Sequence, residues 1–444
     1  MVYKPHEYQE KALQHVLDNP AVGLILDMGL GKTSIVLSAL EILINRIEIR
    51  KPLIIAPKRI CEHTWQAEIN KWDHLKKLKL SRIIGTEKQR IAAINTKADI
   101  YIISRDNVVW LIRHLARNFI FDTLIFDESS SFKNRSSQRF KAIRKVNAKR
   151  VMILTGTPAP NGLTDLYAQI FLLDRGERLG RTYSSYIDTY FTPAQRSGHI
   201  VFKYKLKPGA AALIHDKIKD ICLSMTAADY LELPERMDVI EEVSLDNYAG
   251  YIEFKETEVI RLQTGEDITP VNAAAMYNYL LQYCNGAIYR TDHTYEIVDS
   301  TKMDCLIESV EALNGQPVII FYQFVSDKER ILAKLPQART LDDGQGIDDW
   351  NAGKIEVLVL HCLSAGHGIN MQDAGIGIFW YGLPWSLEGY RQANARVHRQ
   401  GRKTPVLIKH FIAKGTMEEM VYKRLQDKGI TEDQLIEALK RHLH

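Results

Sequence analysis

The run Asp27-Met28-Gly29-Leu30-Gly31-Lys32-Thr33 follows an apolar stretch, Leu24-Ile25-Leu26, and opens a helix-patterned segment. Two glycines let a backbone turn tightly enough for its N–H groups to wrap a phosphate. A helix starting just beyond aims its positive end at the same anion. Lys32 would then reach the β- and γ-phosphates of a nucleoside triphosphate, and the Thr33 hydroxyl would ligate magnesium. The eight-position P-loop pattern is incomplete, because Leu26 stands where its first glycine belongs. Ninety-five residues past Lys32, Asp127-Glu128 closes the apolar run Thr123–Phe126. Hydrolysis of a triphosphate needs one carboxylate to hold magnesium and a second group to orient or deprotonate the attacking water. Asp127 suits the first role and Glu128 the second.

These residues need a scaffold that brings strand ends together, and the sequence predicts one. An amphipathic helix from about Glu7 to Leu17 precedes a strand at Gly23–Leu26, and a helix runs from Lys32 to about Arg46. Short apolar runs at 53–56, 100–103, 123–126 and 151–154 are separated by helix-length stretches. That alternation predicts an α/β fold with a parallel sheet covered on both faces, whose carboxyl edge holds the phosphate loop and the acidic pair. Between about Arg175 and Leu233 the alternation lapses. The segment is rich in basic and tyrosine residues (Arg175, Arg178, Arg181, Tyr183, Tyr186, Tyr190, Arg196, Lys203, Tyr204, Lys205, Lys207) and reads as a mostly helical or irregular insertion. Such interleaving suits either nucleic-acid stacking or an ordinary mixed surface. Two helices, about Leu245–Leu262 and Val271–Tyr283, then lead into renewed alternation, with strands expected at 317–322, 355–360, 377–380 and 406–411. Thr416-Met417-Glu418-Glu419 has capping-box spacing and predicts a closing helix from Met417. The expected organisation is a first lobe (1–174), the insertion (175–233), a joining helical segment (234–290) and a second lobe (291–444).

At 444 residues, with 45% hydrophobic and 25% charged residues, the chain has the composition of a multi-domain globular protein. No apolar run approaches the roughly 18 residues of a membrane helix, and the start is polar, so neither membrane insertion nor secretion is expected. Five scattered cysteines without a C-x-x-C pair argue against a disulfide framework or zinc module and for a reducing cytosol, cytoplasmic or nucleoid-associated. The net charge of +4 says less than its placement: Ser129–Thr164 carries eight basic residues and no acidic one. Directly after the acidic pair, this run is a candidate polyanion contact as well as a solvated face.

The motifs together resemble those of the Swi/Snf family of superfamily-two helicase-like ATPases. Asp127-Glu128-Ser129-Ser130-Ser131-Phe132-Lys133-Asn134 and Leu154-Thr155-Gly156-Thr157-Pro158-Ala159-Pro160-Asn161 look like its motifs II and III. Asp27–Thr33 is similar to motif I, Tyr8-Gln9 to the glutamine element that reads adenine, and Ile55-Ala56-Pro57 to motif Ia. Leu363–Asn370 looks like motif V and Gln392–Gly401 like motif VI. The resemblance implies two RecA-like lobes that bind ATP and Mg²⁺ in the cleft between them. Gln9, Met28, Gly29, Leu30, Gly31, Lys32, Thr33 and Gly368 would hold the nucleotide, and Thr33 and Asp127 the metal. Catalysis would fall to Lys32, Asp127, Glu128, Gln392, Arg396 and Arg399. Lys133, Asn134, Thr155, Asn161, Ser364 and Trp385 would couple the site to nucleic acid. The chain departs from the family pattern at several places. Leu26-Asp27 stands for Asp-Glu, and Ser129-Ser130 for the Ala-His of the commoner DEAH box. His367 replaces a glycine of motif V, Ala395 an aspartate of motif VI, and Gly382 and Pro384 two acidic residues near Trp385. None touches the ATPase residues; coupling through the missing histidine is absent or rerouted.

Four activities compete on this basis. The resemblance favours an ATP-driven translocase on double-stranded DNA. A strand-separating helicase on forked or branched DNA and an ATP-gated nucleic-acid clamp that does not step are the alternatives. An RNA helicase fits motifs III and VI less well. No chromatin-reading appendage is recognisable in these 444 residues, so a separate targeting protein is an expected partner.

Overall fold

The computed structural model describes residues 1–58, 60–156, 159, 162–197, 200–225, 230, 234–264, 270–290, 292–341, 346–362, 371, 374–399, 402 and 404–426. At 195–197, 200–203, 258–264 and 270–275 it describes the backbone alone. The chain divides into two compact units, Met1–Leu231 and Glu232–His444.

In the first unit, strands β1 (Ala21–Leu26), β2 (Pro52–Ala56), β3 (Leu80–Ile83), β4 (Ile100–Ser104), β5 (Thr123–Asp127) and β6 (Arg150–Thr155) form most of one sheet. A hairpin of β7 (Phe191–Ser197) and β8 (Ile200–Leu206) stands apart, and β9 (Cys222–Met225) completes the sheet. The order is β3-β4-β2-β5-β6-β1-β9 and every pairing is parallel. Alternation along the strands sends Leu53, Ile55, Tyr101, Ile103, Leu124, Phe126, Val151 and Ile153 into one core cluster. Their neighbours Ile54, Ile102, Ile125 and Met152 are equally buried on the other face. Continuous apolar runs are what a sheet covered on both sides requires.

The second unit repeats the plan. Its main sheet contains β10 (Arg236–Val243) and, beyond a small antiparallel pair of β11 (Ala287–Tyr289) and β12 (Tyr295–Ile297), strands β13 (Val318–Tyr322), β14 (Ala338–Arg339), β15 (Val357–His361), β16 (Gly377–Trp380) and β17 (Val406–Ala413). The order is β10-β17-β16-β13-β15-β14, again parallel throughout. Ile319, Phe321, Leu358, Leu360, Ile378 and Trp380 pack into one cluster. Val318, Ile320, Val357, Val359 and Phe379 pack into another on the opposite face. Two RecA-like parallel-sheet lobes are therefore present, as the resemblance implies.

Several elements were not anticipated. Residues 175–233, set apart by composition, supply helices Tyr183–Tyr190 and Ala210–Ile218, the β7–β8 hairpin, and a strand, β9, that joins the first sheet beside β1. Residues 234–290, read as a helical segment, also supply β10 to the second sheet. The two expected helices are observed at Tyr248–Thr264 and Pro270–Cys284. The closing helix begins at Met417, but its start is not the expected capping box. The Thr416 hydroxyl accepts from the Glu418 N–H (3.3 Å), while the Glu419 carboxylate reaches back to the Gly415 N–H (2.7 Å). Among the described residues no helix is long and apolar enough to cross a membrane, and the five cysteines are free thiols.

Candidate nucleotide site

β1 delivers the chain into the glycine loop at the carboxyl edge of the first sheet. Gly29 and Gly31 both adopt left-handed backbone angles (φ +88° and +78°), which a side chain would strain. The helix Lys32–Asn45 starts directly at Gly31 with no side-chain cap, and the Ile35 N–H closes its first turn on the Gly31 carbonyl at 3.0 Å. An uncapped start leaves the positive end of the helix to act on whatever anion the loop wraps. Lys32 Nζ donates to the carbonyls of Leu26 (2.6 Å) and Asp27 (3.3 Å), so its ammonium lies against the loop it belongs to. Gln9, buried on the helix Glu7–Asp18, donates through Nε2 to the Leu30 carbonyl at 3.3 Å. Its Oε1 accepts from the His6 N–H at 3.0 Å, so both ends of the amide are fixed. Met28 and Leu30 lie in the same loop. Gln9, Met28, Gly29, Leu30, Gly31, Lys32 and Thr33 are thus brought together; Gly368 lies outside the described residues.

Register places the acidic pair at the same edge. β6 separates β1 from β5, pairing Ile25 with Thr155 on one side and Leu154 with Asp127 on the other. A Cβ on Gly156 would sit 3.5 Å from the Leu26 carbonyl oxygen, so the residue after β6 abuts the phosphate loop. Asp127 ends β5 and is buried, its Oδ2 accepting from the Trp65 indole N–H at 3.0 Å. Trp65 follows a π-helical turn, Ile60–Thr64, and is fully enclosed. Glu128 holds a left-handed backbone (φ 53°, ψ 60°), a conformation non-glycine residues adopt only under constraint. Ser129 and Ser130 are buried, and the Ser129 hydroxyl donates to Gln169 Oε1 at 2.7 Å. Trp65 and Gln169 were missed in the sequence because each acts on a residue 62 or 40 positions away. Only the oddity of a polar residue in the apolar helix Leu166–Asp174 hinted at Gln169.

The basic run after the acidic pair is less uniform than the sequence suggested. Arg150 turns inward and donates to the carbonyls of Val16, Leu17 and Asn19, tying down the end of the helix Glu7–Asp18. Arg139 pairs with Asp106 at 3.4 Å, and Arg144 lies over the Phe171 ring. Lys133 sits 3.7 Å from Asp165, and Arg135 lies 4.2 Å above the Tyr183 ring. Within the run, then, Arg150 serves the fold, whereas Lys133 and Arg135 line a cavity. Asn134 Oδ1 accepts from Ser136 and shapes a turn. Thr155 is fully buried at the end of β6, and Asn161 is outside the described residues.

In the second unit Gln392 is buried on the helix Leu387–Asn394, its amide donating to Glu388 at 3.3 Å. Arg396 lies in the turn after this helix and Arg399 just beyond it, both half-buried. The turn is pinned from below: Trp380 donates to Asn394 Oδ1 at 3.0 Å, and the Met371 N–H to the Arg396 carbonyl at 3.3 Å. His398 hydrogen-bonds the Pro234 carbonyl at 2.9 Å and burial pushes its pKa down, so it serves as an anchor. Trp385 packs edge-on against Tyr277 and beneath Arg424. Ser364 lies outside the described residues.

A parallel sheet carrying a glycine loop, a lysine at a helix start and a carboxylate pair two strands away defines a P-loop nucleoside-triphosphate hydrolase. The SNF2-related domain model matches residues 8–282, and the helicase conserved C-terminal domain model matches residues 301–401. The chain belongs to the SNF2-related family of helicase-like ATPases and is an ATP hydrolase. It is 36% identical to putative protein p41 of Acyrthosiphon pisum secondary endosymbiont phage 1, over 99% of both chains. It is 23% identical to the human SWI/SNF-related matrix-associated actin-dependent regulator of chromatin subfamily A member 1, covering 95% of this chain and 42% of that one. The yeast ISWI chromatin-remodeling complex ATPase ISW2 is 26% identical over 98% of this chain and 41% of its own. The chain thus spans less than half the length of these two remodelling relatives. Among solved structures, the Sulfolobus solfataricus SWI2/SNF2 ATPase core in complex with dsDNA aligns over 97% of this chain and 92% of its own, with 22% identity and a TM-score of 0.47.

Proposed function

We propose that the protein is a DNA-stimulated ATPase that moves along double-stranded DNA. The observation that carries this reading is the convergence of Gln9, the glycine loop, Lys32, Thr33, Asp127 and Glu128 at one carboxyl edge. Gln9 would read the adenine edge and the loop would wrap the phosphates. Lys32 would turn from its carbonyls to the β- and γ-phosphates, and Glu128 would orient the attacking water. Arg396 and Arg399 are assigned to neutralising charge that develops on the γ-phosphate.

The site's oxygen donors fit magnesium. A small hard cation takes one or two protein oxygens and fills its remaining positions with water and substrate phosphate. The Thr33 hydroxyl and the Asp127 carboxylate supply such a pair. The described residues contain no cluster of three or more His, Cys, Asp or Glu side chains, and a phosphate-shared magnesium needs none. Held there by Thr33 and Asp127, the ion would supply neutralisation of the charge on the phosphates.

The duplex enters through the SNF2-related family to which the chain belongs, whose motifs favour tracking along double-stranded DNA. The test is the ATPase rate with duplex DNA, single-stranded DNA and RNA, alongside displacement of a triplex strand and of a forked-duplex strand. Stimulation by duplex with triplex displacement alone is expected. Fork displacement would replace the reading with a strand-separating helicase, and ATP-responsive binding without turnover with a clamp.

A further inference from the structure

Behind the catalytic loop, the first unit contains an open cavity of about 250 Å³ lined by Lys133, Asn134, Arg135, Asp165, Tyr167 and Tyr183, among others. Its chemistry is that of an anion receptor. The Arg135 guanidinium lies over the Tyr183 ring, 4.2 Å from its centroid, a cation–π contact that keeps the charge at the cavity wall. Lys133 is held only loosely by Asp165, at 3.7 Å. Other arginines of the same basic run are spent on the fold (Arg150) or paired with Asp106 (Arg139).

The cavity is wired to the ATPase site. Asp165 is the N-cap of the helix Leu166–Asp174, and its backbone carbonyl accepts from Gln169 Nε2 at 3.2 Å. The other end of the same amide, Oε1, accepts the Ser129 hydroxyl at 2.7 Å. Gln169 is fully buried, so the cost of breaking either bond is that of an unsatisfied polar group. Ser129 follows Glu128, which is held in its left-handed conformation. An anion that draws Lys133 away from Asp165 therefore acts on a residue two hydrogen bonds from the catalytic loop.

We propose that this cavity receives a backbone phosphate of the bound nucleic acid and that the chain Asp165–Gln169–Ser129 reports its occupancy to Glu128. A phosphodiester suits the cavity better than an acidic side chain: an ammonium and a guanidinium are the usual partners of phosphate, and the lining offers both, Lys133 and Arg135, against one acidic residue, Asp165. This proposal rests on the nucleic-acid reading above. It also gives Ser129, which departs from the commoner box, a positioning role.

The experiment uses the full chain, a fluorescein-labelled 30-base-pair duplex and two sets of variants. Lys133→Ala/Arg135→Ala is expected to bind the duplex at least about tenfold more weakly, with the slope of log affinity against log salt reduced by about 2. Lys219→Ala, at an exposed site, serves as the control and should match the unaltered chain. Gln169→Glu retains an acceptor for Ser129 but replaces the donor facing the Asp165 carbonyl. It should bind duplex within about twofold of the unaltered chain yet lose most of the DNA stimulation of hydrolysis. Gln169→Leu, which removes both bonds, should show the same separation of affinity from stimulation. Unchanged affinity and salt slope in the double variant would overturn the phosphate assignment. So would a poly-glutamate peptide that binds the unaltered chain, fails to bind the double variant and leaves duplex affinity unaffected. Normal stimulation in both Gln169 variants would overturn the relay. If the unaltered chain bound no nucleic acid at all, the parent reading would fall and this one with it; unchanged binding in the double variant removes this one alone.

Discussion

Gln9 and Gly31 meet across the phosphate loop: a Cβ built on Gly31 would lie 2.5 Å from Gln9 Nε2. The glutamine that would read the base is packed against the glycine that lets the helix begin. Gly31→Ala must therefore strain a left-handed backbone and displace Gln9. The cost should be about 1–3 kcal/mol of stability in the first unit, with loss of ATP binding. Adding Gln9→Ala relieves the collision but not the strain, so it should recover part of the stability and none of the adenine selectivity. Thermal unfolding together with ATP and GTP titrations separates the two contributions.

Glu128 poses the opposite trade. Its left-handed backbone is a cost of roughly 1–2 kcal/mol to a non-glycine residue. Glu128→Gly should be as stable as the unaltered chain or more stable by about 1 kcal/mol, while hydrolysing no ATP. Glu128→Gln keeps the strain and also loses hydrolysis. Lys32→Ala and Arg399→Ala should be equally inactive with the fold intact, the arginine costing roughly 10³–10⁵ in rate. Denaturant melts beside single-turnover assays would decide, and a Glu128→Gly chain less stable than its parent would contradict the strain argument.

Trp65→Phe keeps a smaller aromatic ring in the enclosed site and removes the indole N–H that reaches Asp127. An outer partner of this kind is worth roughly 10–100-fold in metal affinity. The magnesium concentration for half-maximal nucleotide binding should rise about tenfold or more, while nucleotide affinity without metal is unchanged. Equal shifts with and without metal would reduce Trp65 to a packing residue.

The second unit buries an ion pair, Lys302–Glu418, each side chain 1% exposed. Lys302 also donates to Asn285, and Glu418 also accepts the Ala413 N–H. Removing one member leaves an uncompensated charge. Lys302→Met should therefore cost about 3–5 kcal/mol, and Lys302→Met/Glu418→Gln should recover more than half of that. Urea titrations of the two variants test it; an equal loss in both would mean that packing around the lysine stem dominates.

Burial beside Tyr390 pushes the His410 pKa down to about 4. The unfolded chain takes up that proton near 6.5, so between these two values the unfolded state binds more protons. Stability should fall as pH is lowered from about 6.5 towards 4, by on the order of 3 kcal/mol in full. His410→Gln should abolish this component of the acid sensitivity in a pH series of melts.

What the sequence made legible follows from locality. The phosphate loop, the acidic pair and the central strands are each written in a few adjacent residues, and the sheet aligns them without further instruction. The two helices that follow β10 were likewise visible within a residue or three of Tyr248–Thr264 and Pro270–Cys284. Edge strands were not visible. In β10 the acidic residues Glu241 and Glu242 are satisfied by Lys409 and Lys414, from β17 and just past its end, so a charged octet that reads as loop becomes a paired strand. β3 (Leu-Ser-Arg-Ile) and β9 (Cys-Leu-Ser-Met) are too short and mixed to announce themselves. Trp65 and Gln169 escaped for the same reason: their roles exist only once distant residues are neighbours.

The placement of β9 has a bearing on how the chain is made. β1 emerges from the ribosome early, yet its outer edge waits some two hundred residues for Cys222–Met225 to arrive and pair with Gly23–Leu26. The Met225 carbonyl also receives the Asp27 N–H (3.1 Å), at the root of the phosphate loop. Until translation passes that point the nascent first lobe exposes an unpaired strand rim, and its loop lacks one of its fastenings. A fragment cut at residue 174 would carry that defect permanently, whereas one extended past Met225 would not.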